Sequence, residues 1–155
     1  MQKKEAQKKT YELFPATELD IPRMMEIDSQ NMKQYKMLYE SEWNDEEEIE
    51  IIKENIERAK VLVYDDGIIG YFYWSVDGTV AYLNSMQLDE KYQRKGIGTE
   101  LIEVFEAEVK NSELEYVELT VFKSNPAKNL YERKGYLVLE EDGPDAIVMG
   151  KKLDY

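Results

Sequence analysis

The chain contains no cysteine and no histidine among its 155 residues. The first absence removes disulfides, thiolate metal ligands and a cysteine nucleophile. It fits a reducing compartment. The second removes the commonest zinc ligand and the side chain that most often serves as a general base near neutral pH. Acid–base chemistry therefore falls to Asp, Glu, Lys, Tyr or an ordered water, and no metal site is expected. Positive charge is scarce as well. Twenty Lys and Arg stand against 33 Asp and Glu, for a formal net charge of −13. Nucleic-acid binding needs a basic face, so this balance argues against it. It favours cationic partners such as amines through long-range steering, or serves solubility alone. No apolar run approaches the roughly 20 residues needed to cross a bilayer. The charged opening "MQKKEAQKKTYEL" lacks the apolar stretch of a secretory signal. The expectation is a cytoplasmic protein with no membrane partner, monomeric or a homodimer.

What is present is an ordinary globular composition, 43% hydrophobic and 12% aromatic, enough to build one core. Residues 1–10 read as a frayed polar tail and 11–155 as a single domain. A short strand precedes Pro15, and Thr17 with Asp20 resembles a capping box before Pro22. A helical face runs from Ile21 through Met24, Met25, Ile27 and Met32 to Tyr35 and Leu38. Asn44 or Asp45 caps a second helix that continues to about residue 60 through Ile49, Ile52, Ile56 and Ala59. Its acidic first turn suits the helix macrodipole. Three antiparallel strands follow, at 61–64, 68–75 and 79–88, joined by turns at Asp65-Asp66-Gly67 and Asp77-Gly78. A helix over 97–110, a strand over 116–122, a short helix from Ala127 and a closing hairpin (136–141 and 146–153) complete the chain. This order defines a mixed α/β (α+β) fold: about seven strands, mostly antiparallel, flanked by about four helices.

One stretch stands out against the acidic background: Gln93-Arg94-Lys95-Gly96-Ile97-Gly98-Thr99. It lies between a strand ending at Leu88 and a helix beginning at Ile97. Helix N-termini leave backbone N–H groups unpaired and carry partial positive charge. Gly96 and Gly98 remove side chains, so an anion can reach those amides. Arg94 and Lys95 add full charges and Thr99 a hydroxyl. A pyrophosphate fits such a cradle. A P-loop is excluded because Gly98 is followed by Thr-Glu rather than Lys-Ser/Thr. A dinucleotide fingerprint is excluded because antiparallel strands precede it and a third glycine is missing.

Gln93-x-x-Gly96-x-Gly98, after a strand ending Met86-Gln87-Leu88, resembles the acyl-CoA-binding motif of the GNAT superfamily of N-acetyltransferases. A second segment agrees: Asn125-Pro126-Ala127-x-x-Leu130-Tyr131-Glu132-x-x-Gly135-Tyr136 is similar to that family's "N-x-x-A-x-x-L-Y-E-x-x-G-F". The resemblance implies a splayed parallel pair, strand 4 and strand 5, with acetyl-CoA in the gap. It implies main-chain contacts from Met86, Gln87 and Leu88 and a pyrophosphate held by Gln93 through Thr99. Asn125, Ala127 and Tyr131 would flank the cofactor. Tyr131 would protonate the departing thiolate. The alternative for Tyr131 is a core aromatic, and for Asn125 a helix cap.

The general base is not read so directly. A lysine-like amine has a pKa of about 10.4, so reaching its neutral form near pH 7.4 costs about 4 kcal/mol. The strand-4 positions that match a family base are Tyr82 and Asn84, and the strand-5 position is Thr120; none is a good base. Glu118 lies two residues before Thr120 on the same strand face. It is the candidate base, directly or through a water, and otherwise an exposed strand residue. Tyr35, Tyr39 and Trp43, with Tyr82 and Asn84, are candidates to line the acceptor site, and Glu42 or Asp45 to bind a cation. The implied activity is acetyl transfer to a primary amine of a small molecule or peptide in a ternary complex. A non-catalytic acyl-CoA sensor and an unrelated nucleotide-phosphate binder remain as alternatives.

Overall fold

The computed structural model describes residues 11–40 and 42–154; the expected frayed tail at 1–10 lies outside them. The elements are β1 (Glu12–Pro15), α1 (Ile21–Tyr39), α2 (Asp45–Glu54), β2 (Lys60–Tyr64), β3 (Gly67–Asp77), β4 (Val80–Leu88), α3 (Ile97–Asn111), β5 (Tyr116–Phe122), α4 (Ala127–Arg133), β6 (Leu137–Asp142) and β7 (Ala146–Lys152). They form one seven-stranded sheet in the order β1-β2-β3-β4-β5-β7-β6. Every neighbouring pair is antiparallel except β4 with β5. The mixed α/β architecture read from the sequence is the one observed.

Strand alternation divides the core into two layers. On β3, Phe72 and Trp74 face the layer built by Ile102, Phe105 and Val109 of α3, together with Val117 and Leu119 of β5. Tyr71 and Tyr73 face the opposite layer, with Ile21, Met24 and Ile27 of α1 and Ile52 of α2. This is the period-2 pattern of a sheet covered on both faces.

Local chemistry explains where elements stop. Thr17 N–H donates to Asp20 Oδ2 at 2.8 Å, so the capping box forms, but it opens a 3-10 turn (Glu18–Asp20) ahead of α1. Asn44 caps α2 by accepting from Glu47 N–H at 3.2 Å. That helix ends at Glu54, short of the expected residue 60. Asn55 Nδ2 donates back to the Ile51 carbonyl at 2.8 Å, a side-chain bond that competes with helix continuation. Ile56 therefore sits in a 3-10 turn rather than in α2. Leu38, expected on the inward face of α1, is 69% exposed, because Tyr35 and Tyr39 take the face that meets Phe122 of β5. In the β2–β3 hairpin, Asp65 and Asp66 both hold positive φ, at 52° and 64°. They form the two-residue turn of the type favoured by strand twist, and Gly67 already belongs to β3.

Candidate active site

The site is built where the parallel pair comes apart. β4 and β5 are in register from Val80–Tyr116 to Leu83–Leu119 and no further, although β4 runs on to Leu88 and β5 to Phe122. The β3–β4 register slips at the same level: Trp74 faces Leu83 and Tyr73 faces Ser85, leaving Asn84 as an extra residue. A bulge of this kind bends the strand and re-aims its backbone. The gap opens into a cleft of about 600 Å³ lined by both strands, the start of α3, α4 and the inner face of α1.

The glycine turn forms one end of the cleft. Arg94 has φ of 63° and Gly96 has φ of 82°, with Lys95 between them. Alternating hand in this way gathers backbone N–H groups into an anion-binding concavity. Gly96 is the N-cap of α3. A Cβ placed on it meets nothing within 4 Å, so glycine is required there by conformation and the space beside it is open. At Gly98 a Cβ would lie 3.2 Å from Leu130 Cδ2; its absence lets α3 start close against α4.

Arg94, Gly96, Gly98 and Thr99 line the cleft. Lys95 is exposed, with its Nζ 5.9 Å from the Tyr92 ring centre. Ile97 is 4% exposed and packs with Leu62, Ile69 and Leu88, so its side chain anchors the helix. Gln93 is a strut. Its Nε2 donates to the Leu88 carbonyl at 2.9 Å and to Asn31 Oδ1 at 3.2 Å. Asn31 Nδ2 donates to the same carbonyl at 2.8 Å and to Gln87 Oε1 at 3.1 Å. The Leu88 carbonyl thus already has two donors, while Met86 and Gln87 line the cleft beside it.

The opposite wall comes from β5 and α4. Asn125 Oδ1 accepts from Ala127 N–H at 3.0 Å, one residue ahead of Pro126, the N-cap of α4, and both Asn125 and Ala127 line the cleft. Tyr131 lines it too while being 7% exposed. Its ring centre is 5.7 Å from that of Tyr136. Tyr136 is in turn held by Glu106 and by Lys151, whose Nζ lies 5.1 Å from the ring centre. Burial pushes the Tyr131 phenol up to about 12, so it carries its proton throughout the neutral range.

The other end of the cleft is framed by α1. Tyr35 lines the cleft and Tyr39 does not. Both stack on Phe122, with ring centres 5.8 and 5.2 Å away, and Tyr39 is bonded to the Ser124 hydroxyl at 2.6 Å. Tyr39 therefore ties the end of α1 to the end of β5. Trp43 stands outside the cleft, donating to Asp45 Oδ1 at 2.6 Å, so the Asp45 carboxylate is already engaged. Asn84 lines the cleft. Tyr82 bonds the Thr120 hydroxyl across the parallel pair. Glu118 sits opposite Tyr82 and Gly150, half-buried and outside the cleft lining, with Thr120 between it and the opening.

Sequence reasoning missed Asn31, Phe122 and Arg133, all of which line the cleft. Asn31 had a readable signal: it interrupts the apolar stripe Met24, Ile27, Tyr35 at an inward helical position. Among the described residues no group of three metal-ligating side chains occurs.

A mixed seven-stranded sheet, a parallel pair parting over a bulge and an open glycine turn at one mouth of the gap make one continuous cleft. The sequence profile of the acetyltransferase (GNAT) family matches residues 23–136, and the chain belongs to that family. Solved structures share the fold. A PaiA N-acetyltransferase from Thermoplasma acidophilum in complex with coenzyme A superposes with a TM-score of 0.74 at 22% identity, covering 93% of this chain and 99% of that one. Ard1 from Thermoplasma volcanium gives 0.78 at 17% identity, with 94% and 99% covered. The ribosomal-protein-S18-alanine N-acetyltransferase of Escherichia coli gives 0.73 at 21% identity, with 94% and 96% covered. No curated protein matches the chain.

Proposed function

We propose that the protein transfers the acetyl group of acetyl-CoA to a primary amine of a small molecule or peptide, by direct attack within a ternary complex. The observation that carries this reading is the convergence of three features on one cleft: the strand gap beyond Leu83–Leu119, the open turn at Gly96 and the buried phenol of Tyr131. Coenzyme A in the related complexes supports the donor. The residues fit it. The amides from Arg94 to Thr99 hold the pyrophosphate, and the backbone at Met86 takes the main-chain contacts that the Leu88 carbonyl is not free to make. Arg133, on the same wall as Asn125, adds a cation near the anionic end. When bound, acetyl-CoA supplies an activated acetyl thioester. The backbone freed by the Asn84 bulge donates to the carbonyl oxygen as negative charge develops there. Tyr131 donates its proton to the sulfur as the C–S bond breaks.

Tyr35, Phe122 and Asn84 shape the acceptor end, and the protein's negative charge favours a cationic amine. Tyr131→Phe is expected to lower turnover about 100-fold while leaving acetyl-CoA affinity unchanged, read by thiol release and by calorimetric titration. Unaltered turnover would remove Tyr131 as the acid.

A further inference from the structure

Acids outnumber bases in this chain, 33 to 20, so a lysine or arginine rarely lacks a carboxylate to pair with. Most of the described Lys and Arg side chains do sit in ion pairs or over aromatic rings. Arg94 and Arg133 do neither. Both side chains line the cleft, and among the described residues neither has an ion-pair, hydrogen-bond or ring partner. Arg133 stands between two engaged neighbours. Glu132, just before it, is 3.6 Å from Lys128. Lys134, just after it, is 2.7 Å from Glu103 of α3. The adjacent carboxylate is thus turned away, and an exposed guanidinium is left at the end of α4 with no acid set against it.

The two arginines meet one part of the cleft from two walls. Arg94 belongs to the glycine turn and holds a φ of 63°, uncommon for a residue with a side chain. α4 comes against the same turn at Gly98, where a Cβ would lie 3.2 Å from Leu130 Cδ2. Arg133 follows Leu130 by three residues, on the same helix face and about 4.5 Å further along the axis. It therefore stands beside the turn rather than within it. Gly96, Gly98, Thr99 and Leu130 complete the lining there.

Coenzyme A carries two anionic groups of different kinds. Its pyrophosphate suits a turn of backbone amides at a helix start, which needs no charged side chain to hold it. Its 3′-phosphate is a monoester one ribose away, with close to two negative charges at neutral pH. Once the amides from Arg94 to Thr99 are taken by the pyrophosphate, this second group has no backbone donors left in the turn. A guanidinium presents the planar fork of donors that matches a phosphate, and it stays charged across the working pH range. We infer that Arg133, with Arg94 across from it, recognises the 3′-phosphate and makes the cleft selective for coenzyme A over dephospho-coenzyme A. This rests on the coenzyme A reading of the cleft and adds to it a means of choosing the donor. The role is one of recognition, and neither arginine takes part in the bond-making steps.

The test is calorimetric titration of the purified chain with coenzyme A and with dephospho-coenzyme A, which differ only in the 3′-phosphate. Wild type, Arg133→Gln, Arg94→Gln and Lys33→Gln are compared at about 50 mM salt, where screening is weak. Wild type is expected to bind coenzyme A at least about tenfold more tightly than the dephospho form. Arg133→Gln removes that preference by weakening coenzyme A and leaves the dephospho form bound as before. Arg94→Gln reduces the preference by a smaller factor. Lys33→Gln takes the same charge from an exposed position on α1 and keeps the wild-type preference. Equal affinity of wild type for the two ligands would overturn the inference. So would an equal loss for both in Arg133→Gln, which would put that side chain on the pyrophosphate, or a lost preference in Lys33→Gln, which would reduce the effect to overall charge. An unchanged preference in Arg94→Gln would overturn the share given to Arg94. Binding is read without an acceptor, so the result stands apart from whether acetyl transfer occurs. Wild type that binds neither ligand would instead overturn the coenzyme A reading, and this inference with it.

Discussion

At the scale of single residues, two buried acids are set with opposite sign. Asp28 has a folded-state pKa raised by burial and by Glu48 to about 7. Its contribution is fully present below its unfolded pKa, about 3.9, and is lost as pH rises toward 7. Asp89 is the reverse. Burial alone raises it, but the Lys91 backbone N–H and the Arg23 guanidinium, at 3.0 and 2.6 Å, outweigh that and hold the carboxyl below its usual range. Its contribution is present above about pH 4 and is lost on further acidification. Chemical denaturation across pH is expected to show both falls, and Asp28→Asn is expected to abolish the first and leave the second. Gly96 makes a separate prediction. Its φ of 82° lies where a β-carbon costs about 1–2 kcal/mol, yet a methyl group there meets no neighbour within 4 Å. Gly96→Ala should therefore lower the melting temperature modestly and weaken coenzyme A binding by shifting the turn's amides, both measurable without any acceptor.

At the scale of elements, the register of β4 and β5 sets the site. Four residue pairs hold the strands together, and then they part. The end of α1 is lashed across the opening by the Tyr35–Phe122–Tyr39 stack and the Tyr39–Ser124 bond. Tyr39→Ala is expected to raise KM for the amine severalfold while coenzyme A affinity holds, because the tie lies at the acceptor end and not at the glycine turn. Much of this level was legible in the chain. Asp-Gly turns between apolar runs bounded the central strands, and the Asn44 cap marked the start of α2. The glycine turn with the Asn125–Tyr136 segment pointed to the cleft. What was not legible depends on side chains meeting across long sequence separations. Asn55 ending α2 early is a local contest that periodicity does not reveal. Gln93 and Asn31 converge on Leu88 from 5 and 57 residues away. Asp28 was hidden in a helix whose apolar neighbours suggested core, and its burial beside Glu48 appears only once α1 packs on α2. Glu118 was chosen from strand alternation, which gives the correct face but not its distance from the opening.

At the scale of the whole molecule, the net charge of −13 contrasts with a cleft whose lining includes Arg94 and Arg133. Long-range attraction of a cationic amine is screened over about 8–10 Å at physiological salt. The acceptor's kcat/KM is therefore expected to fall as salt is raised from 10 to 300 mM, with kcat nearly constant. A neutral amine analogue should show no such slope. No helix among the described residues is long and apolar enough to cross a membrane. The account as a whole rests on acetyl transfer. Its most direct test is purified protein with acetyl-CoA and a panel of primary amines, following thiol release and the mass of the amine product together. The account predicts stoichiometric thiol and acetylated amine with at least one acceptor, sharply reduced in Tyr131→Phe. Coenzyme A binding without acetylated product from any amine would contradict it.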